Sequence, residues 1–104
     1  MAGAILVAEN RGVAFSSLEF DYIIERIRSH FGDGEERVRD AIYSPVDAGG
    51  MSFISLREQD HAGFNAFARA ASIAYDDERK SQRLSAHMKS WDELMSALRS
   101  DARA

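Results

Sequence analysis

A chain of 104 residues that is 45% hydrophobic, with one Pro and no Cys, can bury one core and is too apolar for the disordered class. Thirteen Lys+Arg against 17 Asp+Glu leave a net charge of −4, which argues against a domain that works by neutralising phosphates. The missing cysteines exclude disulfide frameworks, thiolate nucleophiles and Cys-based zinc sites, so the expectation is one α+β domain over residues 1–104, in the cytoplasm.

Ala4-Ile5-Leu6-Val7-Ala8 is apolar, partly β-branched and without a helical stripe, and predicts a buried strand. It is too short to span a membrane, and no basic segment precedes it as in a signal peptide. Ser16 followed by Glu19 is a capping box, with Phe15 and Phe20 placed as its hydrophobic staple, so a helix should begin at Ser17. Phe20, Ile23, Ile24, Ile27 and Phe31 make its apolar stripe, and Gly32 with Asp33-Gly34 ends it.

Residues 35–44 are ambiguous. Val38, Asp40 and Ile42 alternate as in a strand, while Val38, Ala41 and Ile42 also fit a short helix. Ser44-Pro45 and the turn-like Asp47-Ala48-Gly49-Gly50 favour a strand, which would form a hairpin with the strand-like run Met51–Leu56. Pairing with residues 4–8 would complete a sheet of about three strands, packed by about three helices.

Asp60 can cap a long helix whose stripe is Phe64, Phe67, Ala68, Ala71, Ala74 and Tyr75; its many alanines suit close packing at the centre of the fold. Leu84, Met88, Trp91, Met95 and Leu98 continue at spacings of four and three. A second capping box, Ser90 to Glu93, points to a new helix from Trp91, and residues after about Ser100 should fray.

No motif carries catalysis. The glycines at 32, 34, 49 and 50 match neither a phosphate loop nor a dinucleotide fingerprint. His30, His61 and His87 lack the helical spacing of a metal site, so neither a metal nor another cofactor is expected. Asp60 and His61 could work as an acid/base pair, although capping by Asp60 explains them more simply. Trp91 lies on an apolar stripe and is expected in the core.

Charge placement is more informative. Residues 1–52 hold nine acids and five bases, a net of −4, whereas residues 53–104 hold eight of each. Asp21 and Glu25 lie off the first helix's apolar stripe, Asp33, Glu35 and Glu36 follow that helix, and Asp76-Asp77-Glu78 form a second acidic run. Such a surface suits a basic protein partner rather than nucleic acid or membrane.

The run Met51-Ser-Phe-Ile-Ser-Leu56 leading through Glu58-Gln-Asp60 into Phe64-Asn-Ala-Phe67, with the closing Trp91-Asp-Glu-Leu94, resembles the bacterial immunity proteins that neutralise polymorphic toxins, including those of contact-dependent growth inhibition. The resemblance covers about half the chain. It implies a stoichiometric inhibitor, often of a nuclease toxin, that covers the toxin's active site. Immunity proteins span many folds, so no binding residue is carried over by position. The candidate interface is therefore read from charge: Asp21, Glu25, Asp33, Glu35 and Glu36, with Asp76, Asp77 and Glu78 as a second patch. A regulatory domain that dimerises through the stripe of residues 84–98, or a small enzyme using Asp60 and His61, are the alternatives.

Overall fold

Strand β1 (Ala2–Ala8) turns at Glu9-Asn10 into strand β2 (Arg11–Ser16), and the two pair antiparallel, with a register shift between Leu6 and Ala8. The computed structural model describes residues 2–80 and 88–104. Strand β3 (Phe53–Ser55) adds parallel to β1, so the sheet is mixed and its order is β2-β1-β3. Ile5, Val7, Val13, Phe15 and Ile54 point to one face and are buried, whereas Gly12, Ala14 and Ser16 are open to solvent and Leu6, Phe53 and Ser55 are half-buried. This period-2 pattern is what a sheet with a core on one side requires.

Helix α1 (Ser17–Arg28) starts where the capping box predicts. Glu19 N–H donates to Ser16 Oγ at 3.2 Å, and Ser16 N–H donates back to Glu19 Oε1 at 3.3 Å. Phe20, Ile23, Ile24 and Ile27 form its buried stripe. Helix α2 (Glu36–Asp47) replaces the strand expected over residues 35–44, and with it the expected hairpin to Met51–Leu56 disappears. Val38, Ile42 and Val46 recur every four residues, with Tyr43 beside Ile42. This helical stripe prevails because Pro45 falls in the last turn, where its missing N–H removes one helical bond. Tyr43 is fully buried, donates its hydroxyl to Ile24 O at 2.6 Å, and has its phenol pKa raised by that burial.

The strand that completes the sheet is instead β2. Its central outward positions are Gly12 and Ala14, with polar side chains only at its ends, Arg11 and Ser16, which flattens the alternation that marks a half-buried strand. The expected class, a small sheet packed by helices, holds, with four helices rather than about three.

Helix α3 (His61–Lys80) is capped as expected, Gly63 N–H donating to Asp60 Oδ1 at 2.8 Å. Phe64, Phe67, Ala70, Ala71 and Ala74 are fully buried, and the small residues let α1 and α4 approach α3 closely. Helix α4 (Met88–Arg99) buries Trp91, Leu94, Met95 and Leu98. Ser90 lies inside α4 and not ahead of it. Its hydroxyl donates to Glu19 Oε2 at 2.9 Å, tying α4 to the start of α1, so the expected box from Ser90 to Glu93 is not the start of this helix. Leu84 and His87 lie outside the described residues.

The C-terminal residues are pinned rather than frayed. Arg103 donates to Leu56 O at 2.7 Å, to Gln59 O and Val7 O at 2.8 Å, and to Asp101 Oδ1 at 2.9 Å, and its guanidinium lies 4.5 Å from the centre of the Phe64 ring. One side chain thereby bonds three backbone carbonyls, one in β1 and two in the connection from β3 to α3.

Candidate functional site

The two acidic runs lie far apart in sequence, and the fold joins them along the packing of α1 on α3. Tyr22 donates its hydroxyl to both carboxylate oxygens of Glu78, at 3.0 and 2.9 Å, and Arg26 stands 3.9 Å from the same group. His30 Nε2 is 3.2 Å from Asp77 Oδ2. Arg69, on α3, bonds Glu35 in the segment between α1 and α2. Asp21 and Glu25 sit one turn apart on α1, beside Tyr22 and Arg26. The first helix, the segment after it and α3 are therefore linked by side-chain contacts at Glu78, Asp77 and Glu35.

The eight candidate acids differ in exposure and in partners. Asp21, Asp33, Glu36 and Asp76 are exposed, and no ion pair engages them among the described residues. Glu25 is exposed and pairs with Arg28 at 3.2 Å, and Asp77 is half-exposed beside His30. Glu35 is turned partly inward: its Oε1 accepts from Gly32 N–H at 2.7 Å and from Arg69, and these bonds, that to Arg69 foremost, hold its carboxyl below the usual glutamate range. Glu78 is only 5% exposed. Its carboxylate is a support beneath the face, which a run of three consecutive acids does not reveal.

The side chains that meet these acids, Arg69, His30 and Tyr22, are not among the residues expected there. Arg69 had a legible signal. It is the lone charge between His61 and Asp76 in an alanine-rich helix.

The alternative readings meet different geometry. Asp60 is occupied with capping, and His61 is exposed at the first position of α3. On α4 the stripe is covered within the chain: Trp91 and Leu94 are fully buried, and Met95 and Leu98 nearly so. No group of three or more potential metal ligands occurs among the described residues, and none of their helices is long and apolar enough to cross a membrane. A groove of about 670 Å³ runs between the open sheet face and α2, past Leu6, Phe53, Ser44 and Pro45, with Glu9, Arg57 and Glu58 also in its lining.

The fold is a small three-stranded sheet packed by four helices, with exposed acids on α1, in the segment after it and on α3. No protein-family model matches the sequence. Over 103 residues, 99% of this chain and 94% of the relative, it is 31% identical to the immunity protein CdiI of Burkholderia pseudomallei. It also superposes, with a TM-score of 0.91, 30% identity and 97% of both chains covered, on a chain of the solved CdiA-CT toxin from Burkholderia pseudomallei E479 in complex with its cognate CdiI immunity protein. The chain belongs to the CdiI immunity proteins of contact-dependent growth inhibition systems. Proteins of this kind inhibit toxins and are not enzymes.

Proposed function

We propose that this chain binds and neutralises a cognate CdiA-CT toxin, that the toxin domain is a basic nuclease, and that the chain acts by covering the toxin's active site. What supports the reading is the set of contacts Tyr22–Glu78, His30–Asp77 and Arg69–Glu35, which link the acid-bearing α1, the segment after it and α3. A nuclease grips phosphates with a cationic cleft, and a patch of opposite sign steers the two proteins together quickly and in register. Asp21, Glu25, Asp33, Glu36, Asp76 and Asp77 supply the exposed charge, while Glu35 and Glu78 hold it in place from within.

The test uses the CdiA-CT toxin domain of the strain that carries this chain. One equivalent should abolish its cleavage of RNA or DNA, and association should slow steeply between low and high salt. Asp33→Lys with Glu36→Lys should weaken binding at low salt by more than about tenfold, as reversing two charges at an interface does. Full inhibition with no salt dependence and no effect of this double change would remove the acidic face from the interface. A toxin that cleaves no nucleic acid would overturn the nuclease reading alone.

A further inference from the structure

The segment 29–35 belongs to no helix or strand, yet it is fastened to α3 near both ends and in the middle. His30 meets Asp77 at one end. Phe31 packs its ring 6.3 Å from those of Phe67 and Tyr43 in the middle. At the other end the Glu35 carboxylate closes the turn on Gly32 N–H while Arg69 grips the same oxygen. Gly34, with φ of +86°, makes the left-handed step that this closure needs. A Cβ at Gly32 would lie 3.3 Å from both Arg69 Nη2 and Glu35 Oε1, so turn, carboxylate and guanidinium are in mutual contact. Asp33 and Glu36 flank the clasp and remain exposed.

A cation at this place is unexpected on charge alone. An acidic face meant for a basic partner loses attraction with every arginine it carries. Arg69 is half-exposed, and its ion pair with Glu35 adds little to global stability, as is usual for pairs near water. What the pair does alter is freedom: it removes conformations in which Asp33 and Glu36 point elsewhere, an ordering cost the complex would otherwise meet on binding.

We infer that Arg69 is a positioning residue for toxin binding: through Glu35 it holds residues 32–36 as a preformed docking turn, so that a cation set in the acidic face strengthens the hold on a cationic partner. This rests on the reading that the acidic face meets the toxin. It differs from that reading in the sign of one effect. If only net charge matters, Arg69→Leu makes the face more negative and tightens binding; if Arg69 positions the turn, the same change weakens it.

The experiment measures association and dissociation of the full chain with the same CdiA-CT domain, and hydrogen exchange at the Gly32 amide in the free chain. Arg69→Leu should leave the association rate unchanged or faster, raise the dissociation rate by about tenfold, and speed Gly32 exchange, since preorganisation is expressed mainly in dissociation. Arg69→Lys should recover part of the affinity. Glu35→Gln combined with Arg69→Leu should lose no more than Arg69→Leu alone, because the two act as one unit. Unchanged or tighter binding by Arg69→Leu overturns the inference. So does weaker binding with Gly32 exchange unaltered, which would place Arg69 in direct contact with the toxin. If reversing Asp33 and Glu36 also leaves binding intact, the acidic-face reading falls with it; if that reversal weakens binding while Arg69→Leu does not, only the positioning role fails.

Discussion

Arg103 and Arg69 are both arginines gripping a nearby carboxylate, and they do opposite work. Arg103 reaches inward, donating to the carbonyls of Val7, Leu56 and Gln59 over the face of Phe64, and 21% of its side chain is exposed. Arg69 reaches across the surface to Glu35, with 51% of its side chain exposed. Desolvated donors to buried carbonyls hold a fold together, because each carbonyl left unpaired costs free energy on its own. Exposed pairs on a charged face fix where charges stand while contributing little to global stability. The contrast divides the molecule into an apolar base around the sheet, α4 and the start of α3, and an acidic face along α1, the segment 29–36 and the end of α3.

The base is where the largest effects belong. Trp91 is fully buried, with its ring 6.4 Å from that of Tyr75, and its removal leaves a large cavity. Trp91→Ala should cost about 3–5 kcal/mol, lowering the melting temperature by more than about 10 °C for a chain of this size. Calorimetry that finds a loss of only a degree or two would mean that α4 is dispensable to the core. Arg103→Ala comes next. It strips a charged donor from three carbonyls at once, and a loss of about 2–3 kcal/mol is expected in urea unfolding. Arg69→Leu in the same assay should fall within about 0.5 kcal/mol of the parent chain. Equal costs for the two arginine changes would erase the division between base and face.

Acid sharpens the same comparison. The Arg103 guanidinium beside Asp101 holds its carboxyl at about 2, below the ordinary aspartate value of 3.8. A carboxyl depressed in the folded state adds stability above its unfolded pKa, and that contribution is lost as pH falls through the folded value. The Asp101 contribution should therefore be complete above about pH 4 and disappear towards pH 2, with a size of up to about 2 kcal/mol. Stability of the Arg103→Ala variant should fall less over that window. Parallel pH curves for the two proteins would show that Asp101 gains nothing from Arg103. The depressed Glu35 carboxyl acts in the same direction, but at an exposed pair whose effect on global stability is small.

What could be read ahead of the structure follows the distance over which each signal acts. Local rules located the α1 start at Ser17, the Asp60 cap and the β1 run, because a capping hydroxyl and its amide lie within one turn of each other. Over 36–47 two periods compete within a few residues, and burial of Ile42 and Tyr43 against the core decides for helix; one proline near the end does not reverse that. Strand β2 escaped notice because Gly12 and Ala14 hide its alternation. On the acidic face the exposed acids were legible as charge runs. Their supports were not: Glu78 on Tyr22 and Arg69 on Glu35 are partners 56 and 34 residues apart. The pinning of the C-terminus by Arg103 is likewise a long-range fact, reaching 96 residues back to Val7.

The smallest effect concerns the junction between base and face. Glu19 accepts from Ser16 N–H with one carboxylate oxygen and from the Ser90 hydroxyl with the other, so the residue that starts α1 also ties it to α4. Ser16→Ala removes the cap hydroxyl and should cost about 1 kcal/mol, a shift of some 4–8 °C in melting temperature. Ser90→Ala removes only the tie and should cost less than about 1 kcal/mol, since a half-buried hydroxyl returns to water at little net loss. Toxin affinity should be unchanged by both, because neither serine belongs to the acidic face. If Ser90→Ala weakens toxin binding while leaving the melting temperature alone, α4 orients α1 for the partner, and the line between base and face would have to be redrawn to include the first turn of α4.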